Sequence, residues 1–265
     1  MLICVDIGGT TLRVALLTAS LQIVTKFTQP TLPHLGPERA TQAITSMMAA
    51  LDKNDLKNIE GIGLSVASPL EGDTGLLIDP PNLPGWSGIS LSSMISKEAG
   101  LPVKIGNDAT LAALAEHRVG AGRGYSNMLY YTLSTGIGGG IVLNGELYKG
   151  ANGFAGELGH MTVDFNGPRC NCGNVGCLEA LASGSALARE ARAGITLGES
   201  TTLSDENANG PSAIQIFQAA IKGDRFSMRL VNRAARALGA AFVSAAYAFD
   251  PHVIIVGGGI SLSFE

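Results

Sequence analysis

Residues 2–17 read LICVDIGGTTLRVALL, an apolar run, a polar glycine turn and a second apolar run. Leu2 to Ile7 is β-rich, Gly8-Gly9-Thr10-Thr11 has turn chemistry, and Leu12 to Leu17 leads back out, so the stretch predicts a hairpin. The design returns in the second half of the chain. Leu129 to Leu133 reads as a strand, Ser134-Thr135-Gly136-Ile137-Gly138-Gly139-Gly140 as a glycine turn, and Ile141 to Leu143 as the returning strand. Asn144-Gly145 then gives a type I′ hairpin signal into Glu146-Leu147-Tyr148. Asp6-Ile7-Gly8-Gly9-Thr10 and Gly136-Ile137-Gly138-Gly139-Gly140 share a core, which predicts two related α/β halves facing a common cleft.

The rest of the chain fits that plan. Helical spacing of Ala, Ile and Met predicts a helix over 38–51, and Ile59 to Val66 reads as a buried strand. Segment 67–90 is rich in Pro, Gly, Asp and Asn, and a loop that long inside a compact domain is usually functional. A helix over 91–99, a strand over Val103 to Ile105 and a helix opening at Asn107-Asp108 follow. The polar stretch 197–212 reads as a surface loop. An Ala-rich helix over 212–249, broken near Gly223-Asp224, leads to strand Val253 to Val256 and Gly257-Gly258-Gly259.

Composition removes several classes of function. The chain has 265 residues, 46% hydrophobic and 15% charged, which excludes a disordered protein. A net charge of −4 argues against a basic nucleic-acid groove and against an anionic membrane surface. No apolar run reaches the roughly eighteen residues of a transmembrane helix, and the N-terminus lacks the basic region of a signal peptide. The expectation is a cytoplasmic protein with neither nucleic acid nor membrane as partner.

Glycine turns let backbone amides approach phosphate closely, because no Cβ intervenes. Gly-Lys-[Ser/Thr] is absent, which rules out a Walker A loop. The Rossmann G-x-G-x-x-G fails too, since Ile141 stands where the third glycine belongs. What remains is a β-hairpin phosphate cradle used twice. Asp6, before the first turn, suits a water-mediated hold on phosphate-bound Mg²⁺.

His160, Cys170, Cys172 and Cys177 sit in GHMTVDFNGPRCNCGNVGC, which holds three of the four cysteines. Four soft ligands with no vacancy predict a structural, tetrahedral zinc site. A disulfide is disfavoured because nothing marks secretion. A zinc knuckle for nucleic acid is disfavoured because Arg169 is the lone basic residue nearby. Glu157 and Glu179 flank the segment, so a zinc-held fold would let them converge with His160 on one polar ligand. Asn107-Asp108 admits two readings, an N-cap and a general base beside a bound hydroxyl; the helix N-terminus would lower the base's pKa. Cys4 reads as a core residue.

Taken together, Asp6-Ile-Gly-Gly-Thr, Leu133-Ser-Thr-Gly-Ile-Gly-Gly-Gly, Gly156-Glu-Leu-Gly-His160 and Cys170-x-Cys-Gly-x2-Gly-Cys-x-Glu179 resemble the ROK family (repressors, open reading frames and sugar kinases), its bacterial glucokinases most of all. The resemblance implies an actin-like, ribonuclease-H-like α/β fold. It would have an N-terminal domain over 1–107 and a C-terminal domain over 108–265, with ATP and sugar in the cleft. Family chains continue beyond the triple glycine, so it also implies a second domain truncated at its C-terminal end. The implied reaction moves the ATP γ-phosphoryl group to a hexose hydroxyl, most often O6, with Asp108 as base. Asn107, Glu157, His160 and Glu179 match sugar-binding positions, and His160 also ligates zinc. Asn82, in Asn-Leu-Pro-Gly-Trp, falls in the sugar-covering loop, and Ser68 replaces a family glycine beside the sugar. Asp6, Gly8, Gly9, Thr10, Thr11, Arg13, Thr135, Gly136, Gly138, Gly257 and Gly258 match nucleotide-facing positions. ATP, Mg²⁺ and structural Zn²⁺ are the implied cofactors, and a homodimer or homotetramer the implied assembly. Rivals are a kinase for fructose, mannose, allose or an N-acetylated amino sugar, and a non-catalytic sugar binder. A sugar-responsive repressor fits poorly, because the first strand begins at Leu2 with no helix-turn-helix before it.

Overall fold

The computed structural model describes residues 1–52, 58–72, 74–204 and 210–261; part of the polar loop and the last four residues lie outside them. The chain divides into two compact units. Unit one is Met1–Leu111 with Lys149–Phe154, and unit two is Ala112–Tyr148 with Ala155–Glu265.

Unit one is built on a five-stranded sheet in the order β3-β2-β1-β4-β5. Its strands are β1 (Leu2–Ile7), β2 (Thr11–Leu17), β3 (Ile23–Pro30), β4 (Gly61–Val66) and β5 (Val103–Asn107). The hairpin is present, with Asp6 opposite Arg13. β4 and β5 then add in parallel beyond β1. Alternation in β1 sends Ile3, Val5 and Ile7 to a buried face, joined by Leu64 and Val66 of β4. Helices α1 (Gly36–Ala49) and α2 (Leu91–Ala99) contribute Ile44, Met47, Met48, Leu91 and Ile95 to the same core. Each such side chain contributes about 1.5–3 kcal/mol when fully buried. Local chemistry bounds α2: the Ser90 hydroxyl accepts the Ser93 amide and Gly100 closes it in the left-handed region. Between β4 and α2 the long loop is pinned by Trp86, which is 1% exposed and donates its indole N–H to Pro33 O at 3.0 Å.

Unit two repeats the plan. Its sheet runs β8-β7-β6-β9, from β6 (Met128–Leu133), β7 (Ile137–Leu143), β8 (Glu146–Leu147) and β9 (Val253–Gly257). β6 pairs antiparallel with β7 and parallel with β9, as β1 does with β2 and β4. Here the glycine run departs from expectation. Gly138, Gly139 and Gly140 lie on β7 opposite Thr132, Tyr131 and Tyr130, so the turn is confined to Ser134–Gly136. Pairing to β6 satisfies their backbone groups and overrides the weak β-propensity of glycine. Asn144 and Gly145 do form the tight turn, both at positive φ. Helix α3 (Asp108–Val119) begins in unit one and continues into unit two. Helices α4 (Leu178–Ala182), α5 (Gly184–Thr196), α6 (Ala213–Ile221) and α7 (Arg225–Phe249) follow. The expected break at Gly223-Asp224 is real: Asp224 caps α7 by accepting the Ser227 amide at 2.7 Å. Leu230, Ala234, Ala237, Ala241 and Ala245 form a buried stripe at helical spacing along α7.

Candidate active site and metal centre

In unit one the first turn is fixed by backbone bonds. The Gly8 amide donates to Thr11 O at 3.0 Å, and from the end of β3 the Thr31 amide donates to Thr10 O at 3.0 Å. The Thr31 hydroxyl donates to Gly8 O at 2.7 Å, and the Thr10 and Thr11 hydroxyls lie 3.4 Å apart. Asp6 is held on both oxygens, by Arg13 Nη1 at 2.6 Å and by Ser65 Oγ at 3.1 Å. Its side chain stays 41% exposed, so the carboxylate remains open to water beside the turn.

Asn107 and Asp108 divide two tasks between them. The Asn107 Oδ1 accepts the Thr110 amide at 3.0 Å, which is capping geometry for α3. Its Nδ2 donates to Ser68 O at 3.2 Å and to Asp108 Oδ1 at 3.1 Å. Asp108 Oδ1 also accepts the Ala109 amide at 2.8 Å, and its Oδ2 has no hydrogen bond to another described residue. The Asp108 side chain keeps a solvent-facing surface. Partial burial of its carboxyl still raises the pKa above the usual 3.8; the Ala109 amide opposes this and the charge of Asp6 adds to it. The expected lowering by the helix N-terminus is therefore outweighed. Ser68 is buried and donates to Pro69 O at 2.7 Å. Asn82 packs its Cβ over Gly9: a Cβ built on that glycine would lie 2.6 Å from it.

In unit two the second turn is gripped from the start of α5. The Gly184 amide donates to Ser134 O at 2.9 Å, and the Ser185 amide and hydroxyl donate to Thr135 O at 3.1 and 2.8 Å. Across the turn, the Ile137 amide donates to Glu179 Oε2 at 2.9 Å. Gly257 ends β9 opposite Thr132, Gly258 follows at φ 94°, and the Ile260 amide returns to Leu133 O at 3.0 Å.

His160, Cys170, Cys172 and Cys177 come together with their ligand atoms all within 4.8 Å of one another. The Cys170 Sγ to His160 Nδ1 distance is 3.6 Å, and Cys172 Sγ to Cys177 Sγ is 3.7 Å. A tetrahedral ion with Zn–S bonds of about 2.3 Å sets S···S edges near 3.8 Å, so the set has the right spacing for zinc. All four cysteines are free thiols. Burial and the neighbouring thiols push Cys177 up to about 12, and burial raises Cys170. Burial also opposes ionisation of Cys172, but the Asn174 amide and the adjacent thiols bring it below its ordinary value. Backbone bonds shape the segment: Cys170 N to Asn174 O at 2.8 Å, Gly176 N to Pro168 O at 2.9 Å, and Val163 N to Gly176 O at 2.8 Å. Glu157 Oε2 lies 3.9 Å from His160 Nε2, and Glu179 stands in the first turn of α4, two residues after Cys177.

Asp6, Gly8, Gly9, Thr10, Thr11, Arg13, Ser68, Asn82, Asn107 and Asp108 thus belong to unit one; Thr135, Gly136, Gly138, Glu157, His160, the three clustered cysteines, Glu179, Gly257 and Gly258 belong to unit two. Sequence reasoning missed Thr31 and Ser65, which brace the first turn and Asp6. It also missed the Ile137 amide, which has no side-chain signal at all.

A doubly used strand–glycine–strand unit, each on its own sheet with parallel strands added beyond it, defines the class of actin-like ATPase folds. The ROK family profile matches residues 2–264, and the chain belongs to the ROK family. A glucokinase of Halalkalibacterium halodurans is 41% identical over 97% of this chain and 79% of its own. The crystal structure of a ROK hexokinase from Thermus thermophilus aligns with a TM-score of 0.83 at 36% identity, covering 98% of this chain and 82% of that one. A ROK family glucokinase from Streptomyces griseus, solved in complex with glucose and AMPPNP, aligns at 0.80 and 33% identity over 98% of this chain and 84% of that one. Among the described residues, no helix is long and apolar enough to cross a membrane.

Proposed function

We propose that this chain is an ATP-dependent hexose kinase that transfers the γ-phosphoryl group to the 6-hydroxyl of glucose. The observation that carries the reading is the division of labour at Asn107-Asp108. Asn107 takes over the capping bond, which leaves Asp108 with a free Oδ2 and a carboxyl that resists ionisation. A carboxylate of raised basicity is the better acceptor for a hydroxyl proton released as the phosphoryl group arrives. Asp108 is accordingly assigned as general base. Asn107, Asn82, Glu157, His160 and Glu179 are assigned to the sugar: hydroxyls both donate and accept, and this set offers both. The backbone turns at Gly8–Thr11 and Ser134–Gly136 are assigned to the nucleotide phosphates, since phosphoryl transfer depends chiefly on positioning and charge neutralisation. Mg²⁺ arriving with ATP would supply that neutralisation, and Asp6, exposed and already oriented by Arg13, is the carboxylate assigned to its water shell. Zinc held by His160 and the three cysteines would fix the chain between Glu157 and Glu179 and take no part in the chemistry. The relatives support the reading, since the glucokinases are similar over nearly the whole of this chain.

The test is ADP release from Mg-ATP by the purified chain, alone and with glucose, fructose, mannose, allose and an N-acetylated amino sugar. Release that depends on glucose bears out the proposal. Greater release with another hexose would replace the substrate and keep the reaction. A zinc-loaded, folded chain that binds sugar and releases no ADP would overturn the kinase reading.

A further inference from the structure

Glu179 is assigned above to the sugar, yet its carboxylate is already engaged. Oε2 accepts the Ile137 amide at 2.9 Å, across 42 residues of sequence. Oε1 faces the metal cluster, 4.0 Å from Cys170 Sγ. The carboxylate reaches the turn because Gly136 has no side chain: a Cβ there would lie 2.5 Å from Oε2. Opposite this contact, the amides of Gly184 and Ser185 hold the carbonyls of Ser134 and Thr135. The second phosphate turn is therefore clamped between the start of α5 and one carboxylate. In unit one a bare glycine likewise admits a neighbour, since a Cβ on Gly9 of the first turn would lie 2.6 Å from the Asn82 Cβ of the long loop, there by packing alone.

We propose that Glu179 is a positioning residue for the nucleotide as well as a contact for the sugar. Its bond to the Ile137 amide sets the shape of the Ser134–Gly136 turn, and the bareness of Gly136 exists to admit it. The inference rests on the kinase reading. It adds that sugar and nucleotide affinities are linked through one side chain: a sugar hydroxyl that orders the Glu179 carboxylate also orders the turn, and by reciprocity bound nucleotide favours sugar. A hydrogen bond to a charged acceptor is strong enough for its loss to weaken nucleotide binding by about tenfold or more.

The experiment measures AMPPNP affinity by calorimetry without sugar, then glucose affinity with and without AMPPNP. The proteins are the wild type, Glu179→Ala, Glu179→Gln and Gly136→Ala, each checked for zinc content and thermal stability. A glutamine keeps an acceptor for the Ile137 amide. The expected result is AMPPNP affinity reduced about tenfold or more in Glu179→Ala and Gly136→Ala, restored to within a few-fold by Glu179→Gln, with zinc content unchanged. In the two weakened variants the effect of AMPPNP on glucose affinity should vanish. A residue serving the sugar alone would leave AMPPNP binding in sugar-free protein unmoved, and that result overturns the proposal. Failure of the kinase reading looks different, because wild-type protein would then bind no AMPPNP, or would release no ADP from Mg-ATP with any of the sugars.

Discussion

Alanine at Gly176 offers a quantitative test of how the metal centre is assembled. Gly176 sits at φ 70° next to Cys177, one of the four candidate ligands, and a Cβ there would collide with the Asp164 carbonyl. The left-handed conformation alone costs a non-glycine residue about 1–2 kcal/mol. Moving away from Asp164 also disturbs the bonds anchored at Gly176, to Pro168 O at 2.9 Å and from Val163 N at 2.8 Å. Losing both adds about 1 kcal/mol each, for a total of about 3–4 kcal/mol. Metal binding and the folding of such a segment form one equilibrium, so zinc affinity should fall by roughly 100- to 1,000-fold. Gly173, at φ 91° with nothing within 4 Å of a built Cβ, is the control: it has the strain without the collision. Gly173→Ala should weaken zinc by only about tenfold. Competition against a chromophoric chelator measures both constants. Equal zinc affinities for Gly176→Ala and Gly173→Ala would refute the steric argument and mean that the segment takes its shape from the metal alone.

Further outcomes follow from single groups. Cys172→Ala should lower zinc content after dialysis from about one per chain to a small fraction, by elemental analysis, because three ligands no longer close the tetrahedron. Asp108→Asn should reduce kcat by about 10²- to 10⁴-fold while glucose binding persists. Because the Asp108 carboxyl is raised, the wild type loses stability as pH climbs from 3.8 through that raised value; the asparagine variant escapes this loss, so its relative stability must rise over that window in denaturant titrations. Tyr131 is fully buried, packs edge-on to Phe242, and its hydroxyl has no partner among the described residues. Tyr131→Phe should therefore gain about 1 kcal/mol in urea. That advantage should grow as pH rises from 10 towards 12, where burial has pushed the wild-type phenol. Asp224→Ala should cost about 1–2 kcal/mol at neutral pH by uncapping α7. Burial works against the Asp224 charge, but the Ser227 and Thr202 amides hold its carboxyl well below the usual range, so this cost should shrink as pH falls below 3.8.

What could be read from the sequence was whatever local chemistry decides. Helix α2 begins and ends at its own caps, Ser90 and Gly100, and the break before α7 is made by Asp224. Cysteine spacing pointed to the cluster of His160, Cys170, Cys172 and Cys177, whose ligand atoms the structure brings within 4.8 Å of one another, because few other side chains serve as soft ligands. The extent of β7 was hidden, since three successive glycines carry turn propensity and only their partners on β6 make them a strand. β3 was hidden for a related reason: as an edge strand with no fully buried residue it carries little apolar alternation. In the candidate site, residue types were visible and their engagements were not. Asp6 held by Arg13 and Ser65, and Glu179 held by the Ile137 amide, depend on chain segments brought together by the sheets. The pKa of Asp108 turned on burial and on Asp6, neither of which is local.

Trp86, which pins the long loop to Pro33, is the one tryptophan of the chain and lies in unit one. The five tyrosines, at 125, 130, 131, 148 and 247, all lie in unit two. Each unit therefore carries a fluorophore the other lacks, without any label. Indole emission, excited at the red edge, follows the melting of unit one, while the shorter-wavelength phenol emission follows unit two. Coincident curves in urea would mean one cooperative protein, and separated curves two folding units. Added glucose or AMPPNP would then be assigned to a unit by which colour shifts to higher denaturant.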